Sequence, residues 1–90
     1  MPDILQGKVT NVVAGDTFDI SVEHIEAKDP SQYSSIERIK IADVISLPLS
    51  TIAGQRAKIL LETQIWNKNV KVEVRGQDSQ RRLIAKYRVE

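Results

Sequence analysis

Val12-Val13-Ala14-Gly15-Asp16-Thr17-Phe18-Asp19-Ile20 reads as a strand, a tight turn and a second strand. Lys8-Val9-Thr10-Asn11 leads into it. Behind it Phe18, Ile20 and Val22 alternate with Thr17, Asp19, Ser21 and Glu23, the two-residue period of a strand with one buried face. Gly15 is expected to give the turn its backbone freedom. Asp16 opens the second strand, and its carboxylate has two readings. It bonds the turn backbone, as Asp commonly does there, or it serves a metal or phosphate site at the mouth of a sheet.

Working outward, residues 4–13 form the first strand, with a bulge or close approach at Gly7. The second strand runs from Asp16 to Glu23. Residues 24–35, which hold Lys28-Asp29-Pro30-Ser31, lose the alternation and read as a polar loop. Ile36 to Ala42 is the third strand, with Ile39 and Ile41 inward and Arg38 and Lys40 outward. Val44-Ile45-Ser46-Leu47-Pro48-Leu49 is apolar but broken by proline, and reads as a packed loop.

One helix is expected, from Thr51 to Trp66, capped by Ser50 or Thr51. Ala53, Ala57, Leu60, Leu61 and Ile65 form its docking stripe, and Arg56, Lys58, Glu62 and Thr63 face solvent. Gly54 costs such a helix about 1 kcal/mol relative to Ala unless close packing requires it. Asn67 is placed to close the helix, with Lys68 near its negative end. Val70, Val72 and Val74 alternate with Lys71, Glu73 and Arg75 in a fourth strand, residues 76–80 form a turn, and 81–89 a fifth strand.

Three strands, a connection holding a helix, then two strands is the order of a mainly β protein. The expected fold is a five-stranded OB-fold barrel with one helix between strands 3 and 4, as a single domain over residues 1–90. Such barrels commonly bind oligonucleotides, although fold alone does not fix function. The aromatic platforms of single-strand binders are scarce here. Phe18 should point inward, Trp66 should cover the core edge, and only Tyr33 and Tyr87 remain.

Ninety residues make one core, and 41% hydrophobic with 28% charged residues suits a globular domain rather than a disordered chain. No apolar run is long enough to span a membrane, and Met1-Pro2-Asp3-Ile4 does not start a secretory leader, so the cytoplasm is the default expectation. The absence of cysteine excludes disulfides and thiolate zinc. The lone histidine, His24, makes no imidazole cluster, so a bound metal would be a hard cation on carboxylates. Residues 1–50 carry four Lys/Arg against eight Asp/Glu, whereas residues 68–90 carry seven against three. A basic C-terminal third suits phosphate contacts and equally suits a solvated strand face.

Four local patterns now line up. They are Gly15-Asp16-Thr17 in the hairpin, Arg38-Ile39-Lys40-Ile41-Ala42-Asp43 on the third strand, Gly54-Gln55-Arg56-Ala57 in the helix, and Asp78-Ser79-Gln80-Arg81-Arg82-Leu83-Ile84-Ala85 at the last turn. In this order and spacing they resemble the staphylococcal nuclease (thermonuclease) family, over residues 7–90. The resemblance implies an OB barrel and calcium-dependent hydrolysis of DNA and RNA. It assigns Asp16 and Asp43 as calcium-binding carboxylates, and Arg38 and Arg82 as the catalytic guanidiniums that clamp the phosphate. Arg81, beside Arg82, joins them as a nucleic-acid contact. Two guanidinium forks suit a phosphoryl group better than lysines do.

The chain also departs from that pattern. Active members follow the third-strand Asp with a Thr/Ala-Pro-Glu type sequence whose Glu handles the attacking water. Here Val44-Ile45-Ser46 puts Ser46 at that place, and a hydroxyl is no general base near neutral pH. Ala14 stands where many members add an acidic residue, and Arg81 replaces the glycine before the last Arg. Five residues separate Arg38 from Asp43, which sets them on opposite strand faces unless the strand bends near Ala42.

Three functions follow as expectations. The first is a degenerate nuclease-like domain that binds nucleic acid or nucleotide phosphate with weak or no hydrolysis. The second is a working calcium-dependent nuclease in which Asp19, Glu37 or a residue elsewhere supplies the base. The third is a protein-interaction module. For Asp16, Asp43, Arg38 and Arg82, a plain ion-pair network at the barrel mouth stands against all site readings, and for Lys71, Arg75, Arg81 and Arg88, solvated surface charge.

Overall fold

Apolar residues at every second position leave each strand one face to bury. Five such strands close into a barrel in the computed structural model, which describes residues 2–44 and 47–90. The strands are β1 (Asp3–Ala14), β2 (Thr17–Glu26), β3 (Ile36–Ile41), β4 (Asn69–Gln77) and β5 (Leu83–Val89), with helix α1 (Ile52–Ile65) between β3 and β4. Their order around the barrel is β1-β2-β3-β5-β4, and β4 closes back on β1. Every pairing is antiparallel except β3 with β5, which lie parallel and are joined through α1 and β4. The mainly β barrel with one helix is as expected from sequence. Leu5, Ile20, Ile39, Val70 and Val72 fill its centre, and the buried Phe18 ring meets Tyr87 edge-on at 5.5 Å between centroids.

The strand boundaries differ from the sequence reading for identifiable reasons. β2 continues through His24 to Glu26, pairing with Ile4–Gln6, where a loop was expected. The pairing slips between Gln6 and Gly7, so after Val22 the next residue against the core is Ile25, three positions on. A bulge shifts the phase, and strict alternation misses the remainder of the strand. β4 likewise runs through Gly76 and Gln77, which pair with Ile84 and Leu83 across a second shift. The turn therefore starts at Asp78 and β5 at Leu83, while Arg81 sits in the left-handed region at φ 64.

Helix α1 starts where expected. Thr51 Oγ accepts the Gly54 N–H at 3.0 Å and donates to the Pro48 carbonyl at 2.7 Å. Gly54 has the packing reason its position requires, since a Cβ there would lie 1.9 Å from the Pro48 carbonyl oxygen. Asn67 closes the helix at φ 62, and Lys68 N–H returns to the Ile65 carbonyl. The docking seam is narrower than expected. Gly54, Leu61 and Ile65 are buried and Ala57 is half-buried, but Ala53 is exposed and Leu60 is 61% exposed. Leu60 lies about 100° around the helix from Leu61 and so falls off the seam. Trp66 is 54% exposed and does not seal the core.

Gly15 corrects a further expectation. No glycine has positive φ, so the turn does not need Gly15 for a left-handed backbone. A Cβ at Gly15 would stand 2.6 Å from the Ala57 Cβ, and this close approach of hairpin to helix is what requires glycine. Gly15→Ala should lower stability in urea by about 1–3 kcal/mol through overpacking. Adding Ala57→Gly should recover part of that loss beyond simple additivity, a coupling that a double-mutant cycle measures. Additive effects would contradict the contact.

Tyr33 ties the polar segment after β2 to the start of β1 by donating its hydroxyl to Asp3. Desolvation, then this hydrogen bond and the Asp3 and Glu37 charges, push the phenol up to about 12. Its contribution to stability is present below the ordinary value of 10 and is lost as pH rises through about 12. A spectrophotometric titration should show Tyr33 ionising late, and Asp3→Asn should shorten that lag while leaving the part that desolvation causes.

Candidate functional site

Outward positions of β2 and β3 bring the first pair together. Asp19 and Arg38 are cross-strand partners, and the inward neighbours Phe18 and Ile39 anchor the two strands. Arg38 Nε donates to Asp19 Oδ1 at 2.8 Å and Nη2 donates to Oδ2 at 3.2 Å, a two-pronged contact. That hydrogen bond, followed by the Asp19 charge, holds the Arg38 guanidinium above its ordinary value.

The turn after β4 builds the second pair. Asp78 Oδ1 accepts the backbone N–H groups of Gln80 at 3.0 Å and Arg82 at 2.8 Å, and Oδ2 accepts Arg82 Nε at 2.6 Å. Desolvation pushes the Asp78 carboxyl up, but the hydrogen bonds from Arg82 and Gln80 and the Arg82 charge outweigh it and hold Asp78 below its ordinary value of 3.8. Each arginine thus presents its Nε edge to a carboxylate. Among the described residues the Arg82 terminal nitrogens make no hydrogen bond to the protein.

The parallel register joins the two pairs. Ile39 is the partner of Leu83, and Arg38 and Arg82 each immediately precede that pair at the same end of the ladder. With Asp19, Ile36, Gln80 and Arg81 they line an outer depression of about 330 Å³. Arg81 is exposed at its rim. Three cations against Asp19 and the underlying Asp78 leave the depression positive, and its open donors are guanidinium nitrogens, which suit phosphate oxygens.

The carboxylates expected to bind calcium lie elsewhere. Asp16 is 2% exposed, its Oδ1 accepts the Thr17 hydroxyl at 3.1 Å, and its carbonyl accepts the Ile41 N–H at 2.7 Å. Its side chain does not bond the turn backbone, as one reading had it. Among the described residues Asp16 Oδ2 is buried with no hydrogen-bond partner, a costly state for a carboxylate oxygen. Asp43 is exposed at φ 63, just past the end of β3. The strand stops at Ile41 and turns there, rather than bulging to bring Asp43 round to Arg38. Neither Asp16 nor Asp43 lines the depression.

The expected network among Asp16, Asp43, Arg38 and Arg82 is not the one formed. The arginines take Asp19 and Asp78 instead. Sequence reasoning named Asp19 only as a possible base and gave Asp78 no role, although both had a signal. Asp19 is the outward residue opposite Arg38 in the hairpin register, and Asp78 lies four residues before Arg82 across a turn. Ser46, at the place of the family's Glu, lies outside the described residues. Glu37, the other suggested base, accepts the Ser34 N–H at 2.9 Å. Among the described residues no three His, Cys, Asp or Glu side chains converge as a metal site, and no helix is long and apolar enough to cross a membrane.

No protein-family model and no curated protein sequence matches the chain.

Asp78 should titrate below 3.8 in a carbon-detected NMR pH series, and the Arg82 contact should persist above that midpoint and be lost as pH falls through it. In Arg82→Ala the midpoint should rise. An Asp78 midpoint at the ordinary value would show that the turn does not hold Arg82.

Proposed function

We propose that the chain is a nuclease-like domain of the staphylococcal type whose arginine pair binds a nucleotide or nucleic-acid phosphate with weak or no hydrolysis. The observation carrying this reading is that Arg38 and Arg82 line one depression, each held by its own carboxylate through Nε. Guanidiniums already fixed lose little rotamer freedom when a phosphate arrives, and their charge-assisted bonds are the strong kind. Weak hydrolysis follows from the carboxylates. Both Asp19 oxygens already accept from Arg38, and Asp16 is sealed from solvent, so both are poorly placed to activate water.

The orphaned Asp16 Oδ2 favours the second reading, a calcium-dependent nuclease. Asp16 and Asp43 would hold the ion, which when bound would neutralise charge at the phosphate. Two carboxylates are a small share of the six to eight oxygens calcium takes, so water and phosphate would have to complete the shell. The third reading, a protein-interaction module, is favoured by the exposed Ile52, Ile59 and Leu60 of α1.

Calorimetric titration with thymidine 3′,5′-bisphosphate in the presence of a chelator should give binding that weakens roughly tenfold to a hundredfold in Arg38→Ala or Arg82→Ala. Absence of binding at millimolar ligand would overturn the reading. Cleavage of single-stranded DNA that requires calcium and is abolished by Asp16→Asn would establish the second reading in its place.

A further inference from the structure

The depression opens onto a longer basic surface. β5 turns Leu83 and Ala85 to the core, so Ile84, Lys86 and Arg88 face outward. On its neighbours the same alternation turns Lys40 of β3 and Lys71 of β4 outward, where Lys40 pairs with Ile84 and Lys71 with Arg88. From Arg38 and Arg82 the outer side of β5 is thus flanked by cation after cation. Outward positions along a strand recur about every 6.8 Å, so Arg82 to Arg88 covers about 20 Å.

Two features set this surface apart from ordinary solvated charge. Lys71 and Arg88 lie directly opposite each other, a like-charge pair that destabilises a sheet. The carboxylate nearest to hand does not relieve it. Glu73 is the cross-strand partner of Lys86, yet its ion pair runs along its own strand to Arg75 at 3.6 Å. Among the described residues Lys40, Lys71, Lys86 and Arg88 take part in no ion pair. Lys71, Lys86 and Arg88 also line, with Ile4, Glu73 and Tyr87, a hollow of about 290 Å³ at the far end of the strand, where three cations outnumber the one carboxylate.

We propose that single-stranded nucleic acid runs from the arginine depression along the outer face of β5, its phosphates held by Lys86, Arg88 and Lys71. This rests on the reading of Arg38 and Arg82 as a phosphate site, and it makes the ligand an extended strand rather than a mononucleotide. The charge complementarity selects a polyanion, and the outward spacing along one strand selects a linear one. Bound phosphates would screen the Lys71–Arg88 repulsion and release their own counterions.

The test compares a longer oligothymidylate with thymidine 3′,5′-bisphosphate, on the intact chain and on a Lys71→Ala/Arg88→Ala variant. The oligomer should bind the intact chain more tightly. The variant should lose about tenfold in oligomer affinity, and its salt dependence should become shallower by about 1.4 in log–log slope. Its bisphosphate affinity should not change, and its melting temperature should stay level or rise as the repulsion is removed. Bisphosphate binding with no gain from chain length, or an unaffected variant, would overturn the extended path and leave the depression intact. Failure of the bisphosphate to bind at all would remove the depression and the path together. Heparin competing as well as the oligomer would overturn the assignment to nucleic acid.

Discussion

The close approach of Gly15 to Ala57 sets how the β1–β2 hairpin meets helix α1. It pins the tip of the β1–β2 hairpin under helix α1, with no room for a single methyl group between them. The next residue then has nowhere to go but inward. Asp16 is buried, and its carbonyl takes the Ile41 N–H at 2.7 Å, which fixes where β3 ends. Hairpin, helix and the end of β3 thus meet around Gly15 and Asp16.

On that outer side the chemistry depends on carboxylates that restrain arginines. Ion pairs near the surface add little to stability, so the Asp19–Arg38 and Asp78–Arg82 contacts are better understood as orienting devices. They also offset part of the positive charge. The arrangement trades strength of anion attraction for geometry, which suits a site that binds a phosphate without driving its hydrolysis. The buried Asp16, with one oxygen unpaired among the described residues, belongs to the hairpin and not to this depression.

Most of the barrel was legible because its strands alternate and its helix carries a cap, a closing Asn67 and a packed Gly54. What was not legible lay where a bulge changes the phase. Ile25 follows Val22 by three positions across the slip at Gly7, and Arg81 adopts a left-handed backbone that delays β5 to Leu83. The helix seam was read too wide because Ala53 and Leu60 are apolar, and composition does not reveal how far a helix rolls on its sheet. At the site, alternation correctly put Arg38 outward, but it gave no view of Arg82, which a turn controls. Pairing Arg38 with Asp19 required the strand register, and pairing Arg82 with Asp78 required the turn geometry. The family resemblance had drawn attention to Asp16 and Asp43 instead.

The central claim is that Arg38 and Arg82 form one phosphate-binding unit. The most direct measurement is an NMR titration that follows the arginine Nε–H signals as thymidine 3′,5′-bisphosphate is added. The account predicts that the Arg38 and Arg82 signals move together along one binding curve, with Arg75 unmoved beside Glu73. Signals that stay fixed, or that shift alike in every arginine, would contradict it.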